Sequence, residues 1–527
     1  MGSTQDELRT FERYYDPMTK VISMPKDEFK PEPRGLGYCL YRSIQRNSNK
    51  IAQVDSWTNE SYTYGEYLEK CVRTAMALQC EGVTSEDVVM SCSYNHLNSS
   101  VPFVATHFIG ATSSATDPSQ SKEDIAYLLK LVNPKVIFVC KEAEDKMTEA
   151  MVECNSKAKL VVYGETSFES CVAPKLGEEN FKPYETKDLN ETCIILFSSG
   201  TTGLPKGITL SHKFALYHAH STMFPPGTGF ASLYWSTSTI CTLSYIVYGK
   251  RRVNLRHFDA NTLWEIIDKH EIDAMFMAPS DFIRLMRKKP ENRTTFIKTI
   301  CIGGSGICKD FLEEAKMKLP TTKVLFGYGL SELYSVFCPI NHKSGSVGIP
   351  YKGKSYKIVD IETGDNVGFN QTGELCVKTE WVSNGYYRQD SSSVWDDEGY
   401  LKTGDVVYYD EDFCFYVVDR IKEMFKYRSW HIVPAKIETI ILKHPGIDLC
   451  GVVGIPHPED DCHALAVVQL REGSDLSPEE IKEFVERQVD DRHKLRAGVR
   501  IMDKLPLTPS AKIRRRDLVT MYVNGEI

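Results

Sequence analysis

The chain has 527 residues, a formal net charge of −8, and 42% hydrophobic and 25% charged residues. That is the usage of a multi-domain globular protein and excludes a long disordered or fibrous chain. An acidic balance of this kind also disfavours sequence-independent binding to nucleic acid, which needs a basic face.

At the N-terminus, MGSTQDELRTFERYYD is polar and carries acids early, without the apolar segment of a secretory signal. Asp6 stands where the myristoylation pattern requires Ser or Thr, and Asn524-Gly525-Glu526-Ile527 matches no SKL-type peroxisomal address. No stretch approaches about 18 apolar residues, so no transmembrane segment is expected and an intracellular, cytoplasmic protein is. The 16 cysteines lack C-x-x-C pairs and histidines at zinc-site spacing, which predicts reduced, mostly buried thiols.

From about Tyr38 to Lys187, helical periodicity such as Tyr64 to Gly82 alternates with short apolar runs at Asp87 to Ser93 and Pro134 to Cys140. The alternation returns between Ile194 and Phe326, where Cys193 to Phe197, Ala274 to Ala278, Lys298 to Ile302 and Lys323 to Phe326 are apolar nearly throughout. Buried parallel strands covered by helices are predicted. After Pro350 the runs shorten, with Lys354 to Asp360 and Gly373 to Thr379 separated by turn residues, as in a β subdomain. A tail of roughly 105 residues follows Asp419 to Lys422, containing a helix at Ala435 to Lys443, strands at Cys450 to Ile455 and Ala464 to Arg471, and a helix opened by Ser477 with Glu479 and Glu480. The expected fold is therefore α/β: a large N-terminal domain (1–418) of parallel sheets with a β subdomain, a hinge (419–422) and a small α+β C-terminal domain (423–527).

The stretch Cys193 to His212, CIILFSSGTTGLPKGITLSH, runs from a buried strand into a loop dense in Ser, Thr and Gly. Gly200, Gly203 and Gly207 let backbone N–H groups face an anion. Ser198, Ser199, Thr201 and Thr202 add hydroxyls, and Lys206 adds charge. Polyphosphate is the suggested guest, although a generic loop of this composition is more often a flexible surface turn. Pro205 before the lysine and Gly207 after it exclude a Walker A loop.

SSGTTGLPKG closely resembles the phosphate loop of the adenylate-forming superfamily, which includes acyl-CoA synthetases, peptide-synthetase adenylation domains and beetle luciferases. Other motifs follow in order. Gly303-Gly304-Ser305 looks like the turn against adenine, and Gly327-Tyr328-Gly329-Leu330-Ser331-Glu332 resembles YG-[LM]-[TS]-E. The resemblance implies that Tyr328 stacks on adenine, Ser331 meets the α-phosphate and Glu332 holds Mg²⁺. It likewise gives Asp405, in Thr403-Gly404-Asp405, to the ribose hydroxyls, and Arg420, in the D-R-x-K hinge Asp419 to Lys422, to the same ribose.

Lys512, in Pro506-Leu507-Thr508-Pro509-Ser510-Ala511-Lys512, matches the lysine that bridges substrate carboxylate and nucleotide phosphate. The basic run Lys512 to Arg516 could otherwise be taken for a nuclear signal. Lys426 to Glu438, KYRSWHIVPAKIE, resembles the segment that replaces the Lys512 loop when the small domain rotates; it implies a role in the second step for Lys426 and a pantetheine tunnel at Ser429, Trp430 and His431. Ser429 stands where the family usually has Gly. Trp235 falls where beetle luciferases carry histidines and resembles the aromatic gate of fatty acyl-CoA synthetases; as a residue alone it could equally be core.

The resemblance, closest to insect fatty acyl-CoA synthetases and luciferase-like members, spans about Tyr38 to Leu518. It implies ATP-dependent activation of a medium- or long-chain fatty acid followed by transfer to coenzyme A, with ATP, Mg²⁺ and CoA as cofactors. The alternatives are a luciferase-like monooxygenase, which would use O2, and a non-catalytic nucleotide-binding protein. Acid, chain length and oligomeric state are not legible.

Overall fold

The protein is represented by a computed structural model that describes residues 11–198, 204–221, 227–290, 295–307, 309–339, 343–508 and 512–527. The helix Tyr64–Cys80 begins where the sequence predicts because Thr63 accepts the N–H of Glu66 while the Glu66 carboxylate accepts that of Thr63. This reciprocal cap satisfies two donors that a helix start otherwise leaves open. Its buried positions, Tyr67, Cys71, Ala75 and Leu78, recur at three and four and join the core cluster that also holds the first large sheet.

That sheet has six strands in the order Gly207–Ser211, Thr192–Phe197, Thr112–Thr116, Val88–Cys92, Val136–Val139 and Lys159–Val162. All neighbours are parallel except the first pair. The apolar runs around positions 90, 137 and 195 are thus buried parallel strands. Gly207–Ser211 is an addition to the expected elements: it runs antiparallel to Thr192–Phe197, with Gly207 paired to Phe197 and Leu210 to Ile194. Ala274–Met277, Thr299–Gly303 and Lys323–Gly327 form a separate parallel sheet. Chain reversals therefore gather the ends of Thr192–Phe197, Thr299–Gly303 and Lys323–Gly327 around one cavity, as expected where parallel strands finish.

The β subdomain is antiparallel and runs Tyr15–Asp16, Val21–Ser23, Lys354–Val359, Gly373–Thr379, Leu401–Tyr409, Phe415–Arg420. It ends at Arg420, and the next sheet starts at Phe425–Tyr427. That sheet contains Trp430–Ile432, Ile447–His457, Asp461–Leu470 and Gly498–Ile501. It is flanked by the helices Pro434–Ile441, Pro478–Glu486 and Arg515–Val523, the second of them capped by Ser477 and Glu480. The turn between the two sheets is pinned by Asp419, whose carboxylate accepts N–H groups from Arg420 (2.8 Å) and Ala435 (3.1 Å).

Among the described residues, ion pairs between the C-terminal part and the rest are Arg287 with Asp448 (2.7 Å) and Arg514 with Asp124 (3.5 Å), and the His431 ring stands 3.8 Å from the Glu362 carboxylate. Every described cysteine is free. Among the described residues no helix is long and apolar enough to cross a membrane.

Candidate active site

A cavity of about 1060 Å³ lies where the three strand ends, the β subdomain and the Lys512 loop meet. Ser198 stands at the neck of the Gly-rich loop. It donates its N–H to the Lys206 carbonyl (3.0 Å) and accepts the Lys206 N–H on its hydroxyl (2.9 Å). Ser199, Gly200, Thr201, Thr202 and Gly203 lie outside the described residues. The Lys206 ammonium sits 4.5 Å from the centre of the Tyr386 ring, and the Tyr386 hydroxyl donates to Glu332 at 3.3 Å.

Tyr386 is a residue that the sequence did not flag. It reaches the site because residues 384–387 add themselves to Gly207–Ser211: Thr209 donates to the Gly385 carbonyl (2.9 Å), Asn384 to that of Thr209 (2.8 Å), and Tyr387 to that of Gly207 (2.7 Å). Glu332 is tied to the same segment through its carbonyl, which accepts the Ser383 N–H (2.9 Å). Burial pushes the Glu332 carboxyl above its usual range. A half-buried carboxylate that faces the cavity beside Tyr386 suits a hard divalent cation.

Gly304, Ser305, Gly327, Tyr328, Gly329, Leu330 and Ser331 all line the cavity. Two of these glycines are obligatory. Gly304 has φ +101°, and a Cβ at Gly329 would stand 1.9 Å from the Tyr334 carbonyl oxygen. Behind Tyr328 and Arg420, Asp405 is almost fully buried. It takes the Arg420 Nε on Oδ1 at 3.0 Å and the Tyr328 hydroxyl on Oδ2 at 2.5 Å. Burial drives the Asp405 carboxyl up, against the opposing pull of Arg420, Tyr328 and Lys512. The Tyr328 phenol is raised further, first by burial and then by the Asp405 charge.

Lys512 arrives from the C-terminal part. Its N–H donates to the Thr508 hydroxyl (3.1 Å), and its carbonyl accepts the Thr508 N–H (2.7 Å). The side chain lines the cavity beside Arg420 and Asp405. Burial, and then the neighbouring Arg420, push its ammonium down to about 8.

Beyond the polar half, the cavity continues between Phe230, Trp235, Cys241, Phe276 and Met277. Trp235 is the N-terminal neighbour of the helix Ser236–Tyr248. Its ring meets that of Tyr234 edge-on at 4.8 Å, and Tyr234 in turn stacks on Phe197.

Lys426, Ser429, Trp430 and His431 are not brought to this cavity. They lie on the exposed hairpin Phe425–Tyr427 and Trp430–Ile432, with Trp430 under the Arg492 guanidinium at 3.7 Å and His431 near Glu362. The reason is geometric: the small sheet presents the Lys512 loop to the cavity and carries this hairpin on another side.

Comparison with known proteins gives a match to the AMP-binding enzyme family over residues 40–387 and to the AMP-binding enzyme C-terminal domain over 436–512. The luciferin 4-monooxygenase of Nipponoluciola cruciata is 29% identical over 526 residues, covering 94% of this chain and 96% of that protein. The peroxisomal OPC-8:0-CoA ligase 1 of Arabidopsis thaliana is 28% identical, covering 94% of each. The solved structure of the luciferase-like enzyme from the nonluminescent mealworm Zophobas morio superposes with a TM-score of 0.71 and 33% identity, over 76% of this chain and 99% of that one.

Proposed function

Because the chain belongs to the AMP-binding enzyme family, we propose that it joins a medium- or long-chain fatty acid to AMP, using ATP and releasing pyrophosphate, and then passes the acyl group to coenzyme A. The observation that carries this reading is the continuity of one cavity, polar around Lys206, Glu332, Arg420 and Lys512 and apolar around Trp235, Phe230 and Phe276. An anionic head with a hydrocarbon tail fits that sequence of surfaces.

In the first step a carboxylate oxygen attacks the α-phosphorus and the bond to the bridging oxygen of pyrophosphate breaks. Two anions must meet, and the Lys512 ammonium offsets their repulsion. Tyr328 offers an aromatic face to adenine, Ser331 a hydroxyl to the α-phosphate, and Lys206 a charge to the polyphosphate. Asp405 is the acceptor for ribose hydroxyls, and its present bonds to Arg420 and Tyr328 keep that carboxylate oriented before nucleotide arrives. Glu332 would hold a magnesium ion, which when bound neutralises phosphate charge.

In the second step the thiol sulfur attacks the acyl carbon and AMP leaves. The C-terminal part would turn about residues 419–422 to bring Lys426 and the Ser429–His431 hairpin to the cavity. A CoA ligase relative aligned over 94% of the chain supports this acceptor. The competing reading, oxidation of the adenylate by O2, draws on the similarity to a luciferin monooxygenase. Acid-dependent exchange of labelled pyrophosphate into ATP, over a panel of acids, tests the first step; CoA consumption against oxygen uptake decides the second. Exchange with no acid at all would overturn the proposal.

A further inference from the structure

The hairpin formed by Ile447–His457 and Asp461–Leu470 carries a second cluster, on the C-terminal sheet and outside the cavity. Pairing of Ile455 with His463 and of His457 with Asp461 puts the two histidines diagonally on one face. Their rings stack at 3.9 Å and 18°. Asp460, in the connecting turn, folds its carboxylate back toward both: Oδ2 lies 2.9 Å from His463 Nε2 and 3.8 Å from His457 Nδ1. Among the described residues this is the one group of three or more His, Cys, Asp or Glu side chains whose donor atoms converge, all within 4.8 Å of one another.

We propose that His457, Asp460 and His463 form a binding site for a divalent transition-metal ion of the zinc class. Two imidazole nitrogens and one carboxylate oxygen are a donor set such ions take at about 2.0–2.2 Å, leaving further positions for water. The Glu459 N–H points to His457 Nδ1 at 3.4 Å, beside the Asp460 carboxylate. All three side chains are partly exposed, so an ion can enter from solvent. Because an imidazole lone pair lies in the plane of its ring, one ion requires the two rings to turn out of their present stack toward a common point, by rotation about side-chain bonds on a fixed hairpin.

The site has a built-in competitor. The Arg428 guanidinium holds Asp460 Oδ1 at 2.6 Å, and the Arg428 N–H donates to the Asp460 carbonyl at 3.1 Å. A dication on Oδ2 faces this positive group across one carboxylate, so metal and Arg428 oppose each other.

Titration of the tag-free, full-length protein with Zn²⁺, followed by calorimetry, should give one equivalent bound per chain. His457→Ala and His463→Ala should each weaken it by roughly tenfold or more, and the double variant should abolish it. Arg428→Ala should tighten it several-fold, an effect opposite to that of any general damage to the hairpin. Co²⁺ in place of Zn²⁺ should develop visible absorption that disappears in the double variant. Retained ATP binding in each variant verifies folding. Unchanged Zn²⁺ affinity in the double variant, or weaker binding in Arg428→Ala, would overturn the proposal.

Discussion

Asp405 and Arg420 are direct cross-strand partners, in register between Leu401–Tyr409 and Phe415–Arg420, with Nε to Oδ1 at 3.0 Å. The last residue of the β subdomain is thereby locked to the acceptor proposed for ribose. Asp405→Ala removes the acceptor and leaves Arg420 without its partner. Loss of a charge-assisted pair of hydrogen bonds corresponds to about 1.5–3 kcal/mol, or roughly a ten- to hundredfold rise in the KM for ATP. Tyr328→Phe keeps the ring and loses only the hydroxyl bond, so it should cost less; steady-state kinetics compares the two.

Lys512→Ala should lower pyrophosphate exchange by roughly 10²–10³-fold, the size found on removing one charge stabiliser from a reacting centre. Lys426→Ala should spare exchange and slow acyl-CoA formation, because Lys426 lies on the exposed hairpin away from the cavity. The opposite pattern would exchange the two assignments.

The Lys512 ammonium, lowered to about 8, is charged below that pH and loses its proton above it. The kcat/KM for ATP, which reports the free enzyme, should therefore fall as pH rises through about 8. Bound phosphate favours the charged form, so the limb in kcat should lie at higher pH. Lys512→Arg keeps its charge throughout and should abolish the alkaline fall, even at a reduced rate. A pH–rate profile of both proteins measures this.

Arg428 and Ser429 form the two-residue turn of the exposed hairpin with φ of +47° and +65°, and the Ser429 N–H is held by Asp461 at 2.8 Å. Left-handed backbone costs a non-glycine residue about 1–2 kcal/mol. Ser429→Gly relieves that strain while making the unfolded chain freer, so a net gain of roughly 0.5 kcal/mol is expected, read as a small rise in thermal midpoint.

Much of the site was legible because its residues sit at strand ends with local signals: Phe197-Ser198, Gly303-Gly304-Ser305 and Gly327-Tyr328 each follow an apolar run. The rest depends on pairings between distant segments. Val21–Ser23 joins Lys354–Val359 through strands too short to show a period, and Tyr386 reaches Glu332 only because residues 384–387 add to the edge strand Gly207–Ser211. His457, Asp460 and His463 were equally invisible, since their spacing makes sense only once Ile455 is known to face His463.

Trp235→Ala should widen the apolar end of the cavity, whose wall it forms with Phe230 and Phe276. Selectivity between acids differing by a few methylenes should shift toward the longer or bulkier ones by roughly tenfold. Exchange rates over an acid series in both proteins provide the comparison.

The ion pairs that steady the C-terminal part, Arg287 with Asp448 and Arg514 with Asp124, are partly exposed to water. Each is worth at most about 1 kcal/mol and weakens as counterions accumulate. The Lys512 loop is thus docked by a latch that ordinary electrolyte loosens. Raising ionic strength should act on this molecule as a clutch, disengaging the loop from the nucleotide half while leaving both sheets folded.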